Sequence, residues 1–460
     1  MLTPDEPAPQ QHGTALVVVT SLLGAATATA GLVMGAVDSA FGLLFTVIGL
    51  LVVLGGVLVS RRRAGWVVCA GAVLACGWDG VSAGPVNVPD AALVLAAFAA
   101  VCSLTRYGRV PRLPAALLVA VAAFVVAYLL VLVVPPDPLY LATRIRPGQV
   151  IELGAAGRVR PDALANFVRL LLALVVMPMV VAVFAANRRE IRGLATAYVV
   201  GSLINAMVGG LDKLGVTTVS ADLRGFADVD GRQAALTTHP NQLGLVAAMA
   251  LPLAFVVFRR RPTQLAAVAV LMGGIWVSGS RAALAAALLA IGLSLVIAGW
   301  RLRLAYGVMA IGVFVAATDV LALTRFGGAS RSDHARSVIA DQATSDFLHS
   351  PAWGIGPDVL QDAHVIYLQL LAGAGLLGFL GFAVLIVWTL RSAVRLRAEA
   401  VFAAAGASLC VFLVAGIASN ALLARYLYVP LGLIWAGTLL AGSRSAASPA
   451  PGGAVAVRAP

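Results

Sequence analysis

The chain has 460 residues, of which 61% are hydrophobic and only 11% charged, with a formal net charge of +12. Soluble globular domains carry about 25% charged residues, so this composition excludes that class and points to a bilayer. The charge does not read as a nucleic-acid footprint, because it is spread over thin connections and no basic domain interleaved with aromatics is present. In chain order, the leader 1–13 holds Asp5 and Glu6 but no Lys or Arg, which argues against a cleaved signal peptide. Apolar runs near the roughly 20 residues needed to cross a membrane then recur. They fall at 14–36, 38–59, 64–78, 90–105, 113–134, 164–187, 193–211, 240–258, 263–279, 282–299, 304–322, 365–390, 400–420 and 426–442. The expected fold class is all-α, a polytopic membrane protein with about fourteen transmembrane helices, or twelve to fourteen given the short or Gly-rich runs at 64–78 and 90–105. One transmembrane domain would cover 14–442, and the Ala, Pro, Gly and Ser-rich tail 443–460 has no pattern able to bury a core, so it is expected to be disordered. Cys69, Cys76, Cys102 and Cys410 all lie in predicted spans, where a cysteine reads as a small apolar side chain.

Cations give the orientation, because cytoplasmic connections collect them. Every second connection is basic: Arg61–Arg63, then Arg106, Arg109 and Arg112, then Arg188, Arg189 and Arg192, then Arg259–Arg261, then Arg301 and Arg303, then Arg391, Arg395 and Arg397. The alternation puts both termini in the cytoplasm. The bias works against the cations left outside, so these are the informative ones. Arg144, Arg146, Arg158 and Arg160 lie in the outer loop 135–163, and Lys213, Arg224 and Arg232 in the loop 212–238. Arg325, Arg331 and Arg336 lie in the loop 323–363, and Arg425 in the last outer turn. Arg169 and Arg281 fall at or inside the apolar slab, where an unpaired charge costs a few kcal/mol or more and so marks a functional candidate; an ion pair to an outer acid is the structural alternative. Arg offers a planar fork of donors suited to phosphate oxygens. Arg also replaces Lys in the cytoplasmic connections, so position carries more than identity.

Three strings stand at this outer edge. GRQAALTTHPNQLGLVAAMALPL, from Gly231, enters a span through His239, Pro240 and Asn241, and a Pro in the first turn reads structurally as a helix start. GGIWVSGSRAALAAALLAIG ends one span, turns through Ser278, Gly279 and Ser280, and starts the next at Arg281. SRSDHARSVIADQATSDFLHSPAWGIGP suggests a weakly amphipathic helix from Ser332, with Ala335, Val338, Ile339 and Ala343 on one face, Gln342 interrupting the stripe, and Pro351 and Gly354 ending it. His334 and His349 read as solvated loop residues. QDAHVIYLQLL follows at 361–371, with Asp362 and His364 at the edge of an apolar run. Asp228 and Asp230 in ADVDG stand two apart, but the other positions of a calcium loop are missing, so no metal cofactor is expected.

Over residues 222–385 the order of these features resembles the O-antigen ligase and polymerase family of bacterial envelope enzymes. The shared pattern is an Arg before HPN at a span entrance, SGSR between two spans, and a long outer loop with Arg, then WGIG, AH, YLQLL and a Gly-rich span. The chain departs from it at Val365, where the family usually has Asn after AH, and at Ala235, where it often has Gly. The resemblance implies a GT-C-like, multi-span glycosyltransferase that takes a glycan from a polyprenyl diphosphate carrier to an acceptor hydroxyl at the outer face of the cytoplasmic membrane. It also implies roles. His364 would be the catalytic base, with Asp362 orienting it, and Arg232, Arg281 and Arg336, with Arg325 and Arg224 in reserve, would hold the diphosphate without a metal. His239 and Asn241 are further site candidates.

A polymerase would use the same donor chemistry with a second lipid-linked glycan as acceptor. A transporter or flippase for a lipid-linked anion is the alternative from another class, and it would carry charges or broken helices near mid-membrane, often in two related halves. The sequence instead gathers its polar residues at one face.

Overall fold

The computed structural model describes residues 62–83, 86–107, 113–137, 140, 161–224, 228–229, 231–297, 329–359, 365–419 and 421–447. The expected spans 14–36, 38–59 and 304–322 lie outside these residues. Each remaining expected span is met by a helix. In order these are α1 (Arg62–Ala75), α2 (Val88–Tyr107), α3 (Ala115–Val133), α4 (Pro161–Leu171) continued by a π-helical turn (Leu172–Val176) into α5 (Met177–Phe184), and α6 (Arg188–Lys213). After the short α7 (Val219–Arg224) come α8 (Pro240–Val257), α9 (Arg261–Ser278), α10 (Arg281–Ile297) and α11 (Ala329–His349). The last are α12 (Ile366–Arg395), α13 (Ala400–Ala415) and α14 (Val429–Ala447). Among the described residues, five helices are long and apolar enough to cross a membrane: Ala115–Val133, Asn166–Phe184, Arg188–Lys213, Pro240–Val257 and Ile366–Arg395. This fits an all-α membrane protein. Two hairpins of two-residue strands are the non-helical additions, β1 (Ser82–Ala83) with β2 (Val86–Asn87) and β3 (Asp228–Val229) with β4 (Arg232–Gln233).

Local chemistry sets the helix starts. Asn187 Oδ1 accepts from Glu190 N at 3.0 Å while Glu190 Oε2 accepts from Ala186 N at 2.8 Å, a reciprocal cap for α6. Asn87 Oδ1 caps α2 through Asp90 N at 2.9 Å. Burial then ranks the helices. Over its most apolar stretch α8 is 83% buried and α3 only 33%, so α8 is the axis, with α6, α9, α10 and α13 around it, and α3 is peripheral. The outer side of α3 shows Leu118, Val119, Val126, Leu129 and Leu132, and α12 shows Leu376, Leu380, Val384 and Val387. Such an apolar belt suits lipid contact. Lipid tails are as apolar as leucine, so helices in a membrane associate chiefly by close packing. Gly378 and Gly381 of α12 accordingly lie against Phe124, Ala120 and Ala123 of α3.

Two departures from the expected organisation have physical causes. The span expected at 365–390 is a broken helix, since Gly375 adopts φ 61°, ψ −164° inside α12. The WGIG loop enters that break. Leu376 N donates to Pro351 O (2.8 Å) and Leu377 N to Ala352 O (3.0 Å), while Ile355 N donates to Ala372 O (2.8 Å) and Gly356 N to Gly373 O (3.2 Å). The backbone groups freed by the break are thus re-satisfied by the loop. Second, α14 runs past 442 to Ala447, into the stretch expected to be disordered, because no helix breaker intervenes before Pro449.

The two ends of the bundle differ. At one end Arg188 pairs with Glu399 at 2.5 Å, tying the starts of α6 and α13. The other end carries the turns described next.

Candidate functional site

HPN and SGSR meet through Arg232. In β4 the side chains alternate, so Gln233 turns into the core at 5% exposure and Arg232 turns the other way. Arg232 Nε donates to Ser278 O at 2.8 Å and Arg232 Nη2 to Asn241 Oδ1 at 2.5 Å. One guanidinium therefore links the end of α9 to the start of α8. Gly279, at φ 57°, ends α9 in the left-handed conformation that glycine adopts without a Cβ clash. A Cβ there would also stand 3.2 Å from Arg232 Cγ and Nε, so the turn is small where the arginine crosses it.

His239 caps α8, its Nδ1 accepting from Asn241 N at 3.1 Å with Pro240 in the first turn, as the HPN string predicts. This fixes the tautomer: Nδ1 accepts, so a neutral ring carries its proton on Nε2. Ser280 Oγ receives Ala283 N at 3.3 Å and caps α10, leaving Arg281 as the first helical residue. Arg281 is exposed, and no acid among the described residues pairs with it. The ion pair weighed as its structural alternative is therefore not found there, and the guanidinium is free to meet a ligand at the mouth of α10.

The remaining sequence candidates are less assembled. Arg336 lies half-buried on α11. Arg224 ends α7, with its side chain outside the described residues, as are Arg325, Asp362 and His364 entirely. Arg169 is half-buried in the last turn of α4. His349 is no loop residue: it ends α11, stacks on Tyr140 with ring centroids 3.4 Å apart, and its Nδ1 meets Ser345 O at 2.9 Å. Gln342 does not simply interrupt the α11 stripe, because its Nε2 donates to Asp346 Oδ1 (3.0 Å) and to Tyr140 OH (3.2 Å). Tyr140 in turn donates to the fully buried Asp346 at 2.7 Å. Among the described residues, no three His, Cys, Asp or Glu side chains come together as a metal site.

Sequence reasoning missed the floor of this region. Asn205, fully buried in α6, donates to Gly77 O (3.3 Å) and accepts from Leu236 N (2.9 Å), so it staples the connection after α1 to the loop before HPN. Gly80 N donates to Leu236 O at 2.9 Å and strengthens that joint. Asp79 then reaches Thr238, whose Oγ1 lies 3.4 Å from Asp79 Oδ2 and donates to Gln242 Oε1 at 2.6 Å. Arg425, 5% exposed, donates from Nη2 to Asp90 Oδ1. The visible signal for Asn205 was a lone amide inside an apolar run.

Arginine at a helix start beside a second, rigidly held arginine can take up negative charge, and the amide and hydroxyl groups of Asn241, Thr238 and Gln242 can take up hydroxyls. Compared with known proteins, the chain matches no family model and no curated protein.

Proposed function

We propose that the chain is a membrane glycosyltransferase, resembling the O-antigen ligases, that moves a glycan from a polyprenyl diphosphate carrier to an acceptor hydroxyl in cell-surface polysaccharide synthesis. The observation that carries this is Arg232 bridging Asn241 and Ser278 beside the exposed Arg281, because it joins two strings that the resemblance names separately. In the proposed reaction the acceptor oxygen bonds to the anomeric carbon as the bond from that carbon to the phosphate oxygen breaks. The acceptor proton passes to His364, and the electron pair leaves with the lipid diphosphate. Arg281 and Arg232, with Arg336, would receive the developing charge without a metal; preorganised donors of this kind contribute about 3–4 kcal/mol each in known cases. A GT-C-like fold of about fourteen spans in the cytoplasmic membrane, with both termini inside and the site outside, completes the reading. A polymerase of the same family differs only in its acceptor.

The transporter alternative draws on one feature, the break in α12, since discontinuous helices bind cargo in many transporters. Here the N–H groups just after the break already bond to Pro351 and Ala352 carbonyls, which leaves the enzyme reading the better supported.

The test is reconstitution with a polyprenyl-diphosphate-linked glycan and candidate acceptors, following transfer with and without a chelator. Transfer that survives chelation and falls at least about a hundredfold in His364→Ala and Arg281→Ala is expected. Protein-dependent passage of the lipid-linked glycan across the bilayer with no transfer would replace the enzyme by a transporter.

A further inference from the structure

The connection after α1, the start of α2 and the turn before α14 converge on a cluster that the proposed chemistry does not use. Arg425 feels the charge of two carboxylates. Its Nη2 binds Asp90 Oδ1, while Asp79 lies within electrostatic reach of the same guanidinium. Facing the pair are Tyr426 from the turn of Arg425, Cys76 from the connection of Asp79, and Tyr198 of α6, which lies beside both Tyr426 and Cys76. Asp79 Oδ1, Arg425 Nε, Tyr426 OH and Tyr198 OH are all closed to solvent and without a hydrogen-bond partner. Arg425 is 5% exposed, Tyr426 0% and Tyr198 1%. Two carboxylates around one guanidinium leave one negative charge in excess at a site where Asp79 Oδ1 is closed to water, and a single proton removes it.

We propose that this cluster is a proton-binding site, with the proton carried by Asp79, and that its occupancy sets the turn of Thr238–Gln242 and through it the Asn241 amide that holds Arg232. The link is direct. Asp79 Oδ2 faces Thr238 Oγ1, Thr238 holds Gln242, and the next residues are His239, Pro240 and Asn241. Burial pushes the Asp79 carboxyl from the usual carboxylate range up to about 6, against the pull of Arg425 and of the backbone N–H groups of Asp79 and Thr238, which favour the ionised form. The proton is therefore taken up as the medium turns mildly acidic. Because the folded chain then holds it more tightly than the unfolded one, stability falls as pH rises from about 4 to about 6 and is level above. The consequence for transfer rests on the function proposed above, but the proton site does not.

Infrared spectra of the full chain in nanodiscs, titrated from pH 5 to pH 8, read a protonated carboxyl directly. A protonated-carboxyl band that vanishes with a midpoint near pH 6 is expected, abolished in Asp79→Asn and kept in Thr238→Val. Amide hydrogen exchange across 234–243 should change by about threefold or more over the same interval, beyond the intrinsic pH effect, and lose that step in Thr238→Val. A band absent at pH 5, or one persisting in Asp79→Asn, overturns the proton site. An exchange step unchanged in Thr238→Val overturns its link to the turn. If Asp79→Asn does not fold, the wild-type titration and Thr238→Val decide the matter. Neither readout needs glycan transfer, so a chain without transferase activity that passes both would refute the proposed function alone.

Discussion

Arg232 and Asn241, nine residues apart in the chain, are joined by an Nη2 to Oδ1 hydrogen bond of 2.5 Å, so the strand before HPN and the helix after it close on each other. A hydrogen bond from a charged donor contributes about 1.5–3 kcal/mol. Asn241→Ala should therefore lower the thermal midpoint in detergent by several degrees, while Asn241→Asp, which keeps an acceptor, stays near wild type. Equal midpoints for all three would mean that the bond contributes nothing.

The Asp90–Arg425 pair predicts a non-additive pattern. Removing one partner of a buried pair strands the other and costs about 3–5 kcal/mol, whereas replacing both by apolar groups costs much less. Arg425→Leu should be strongly destabilised, because it leaves Asp90 and Asp79 without their cation, and adding Asp90→Ala should recover part of the loss. A double variant that loses as much as, or more than, the two single variants added together would contradict the pairing.

Ala235 sits at φ 49°, the one non-glycine residue with positive φ among those described, and is fully buried. The left-handed conformation costs an L residue about 1–2 kcal/mol. Against that relief, Ala235→Gly loses a buried methyl worth about 0.8 kcal/mol and gains freedom in the unfolded chain worth about 0.4–1 kcal/mol. The variant should match wild type within about 1 kcal/mol, and Ala235→Val, branched in a crowded left-handed turn, should lose about 2 kcal/mol or more. Calorimetry of the purified proteins ranks the three.

Gly375 combines a backbone region open almost only to glycine with crowding, since a Cβ there would meet Ala352 C and Trp353 N at 2.5 Å. Gly375→Ala should lose about 3 kcal/mol or fail to elute as a single species. Gly71→Ala, with nothing within 4 Å of its added Cβ, is the matched control and should elute like wild type.

What could be read from the sequence was the local part. HPN and SGSR show themselves because a Pro after a cap and a Gly in a tight turn act over a few residues, and the structure places the start of α8 and the end of α9 there. The Asp90–Arg425 contact, 335 residues apart, leaves no local pattern at all. Gln342 looked like a flaw in an apolar stripe because its partner, Tyr140, is 202 residues away. Gly375 was indistinguishable from the packing glycines Gly378 and Gly381, since only the WGIG loop, folded in from outside the run, tells a break from a close contact.

The clasp at Gly375 also divides the mechanical load on α12. The part after the break up to the first cation, residues 376–390, measures about 22 Å, so the hydrocarbon layer is crossed only with the segment before the break included. The loop is stitched to Ala372 and Gly373 before the break and to Leu376 and Leu377 after it. A pull on the loop thus reaches both arms of the helix at one point, through two bonds on each.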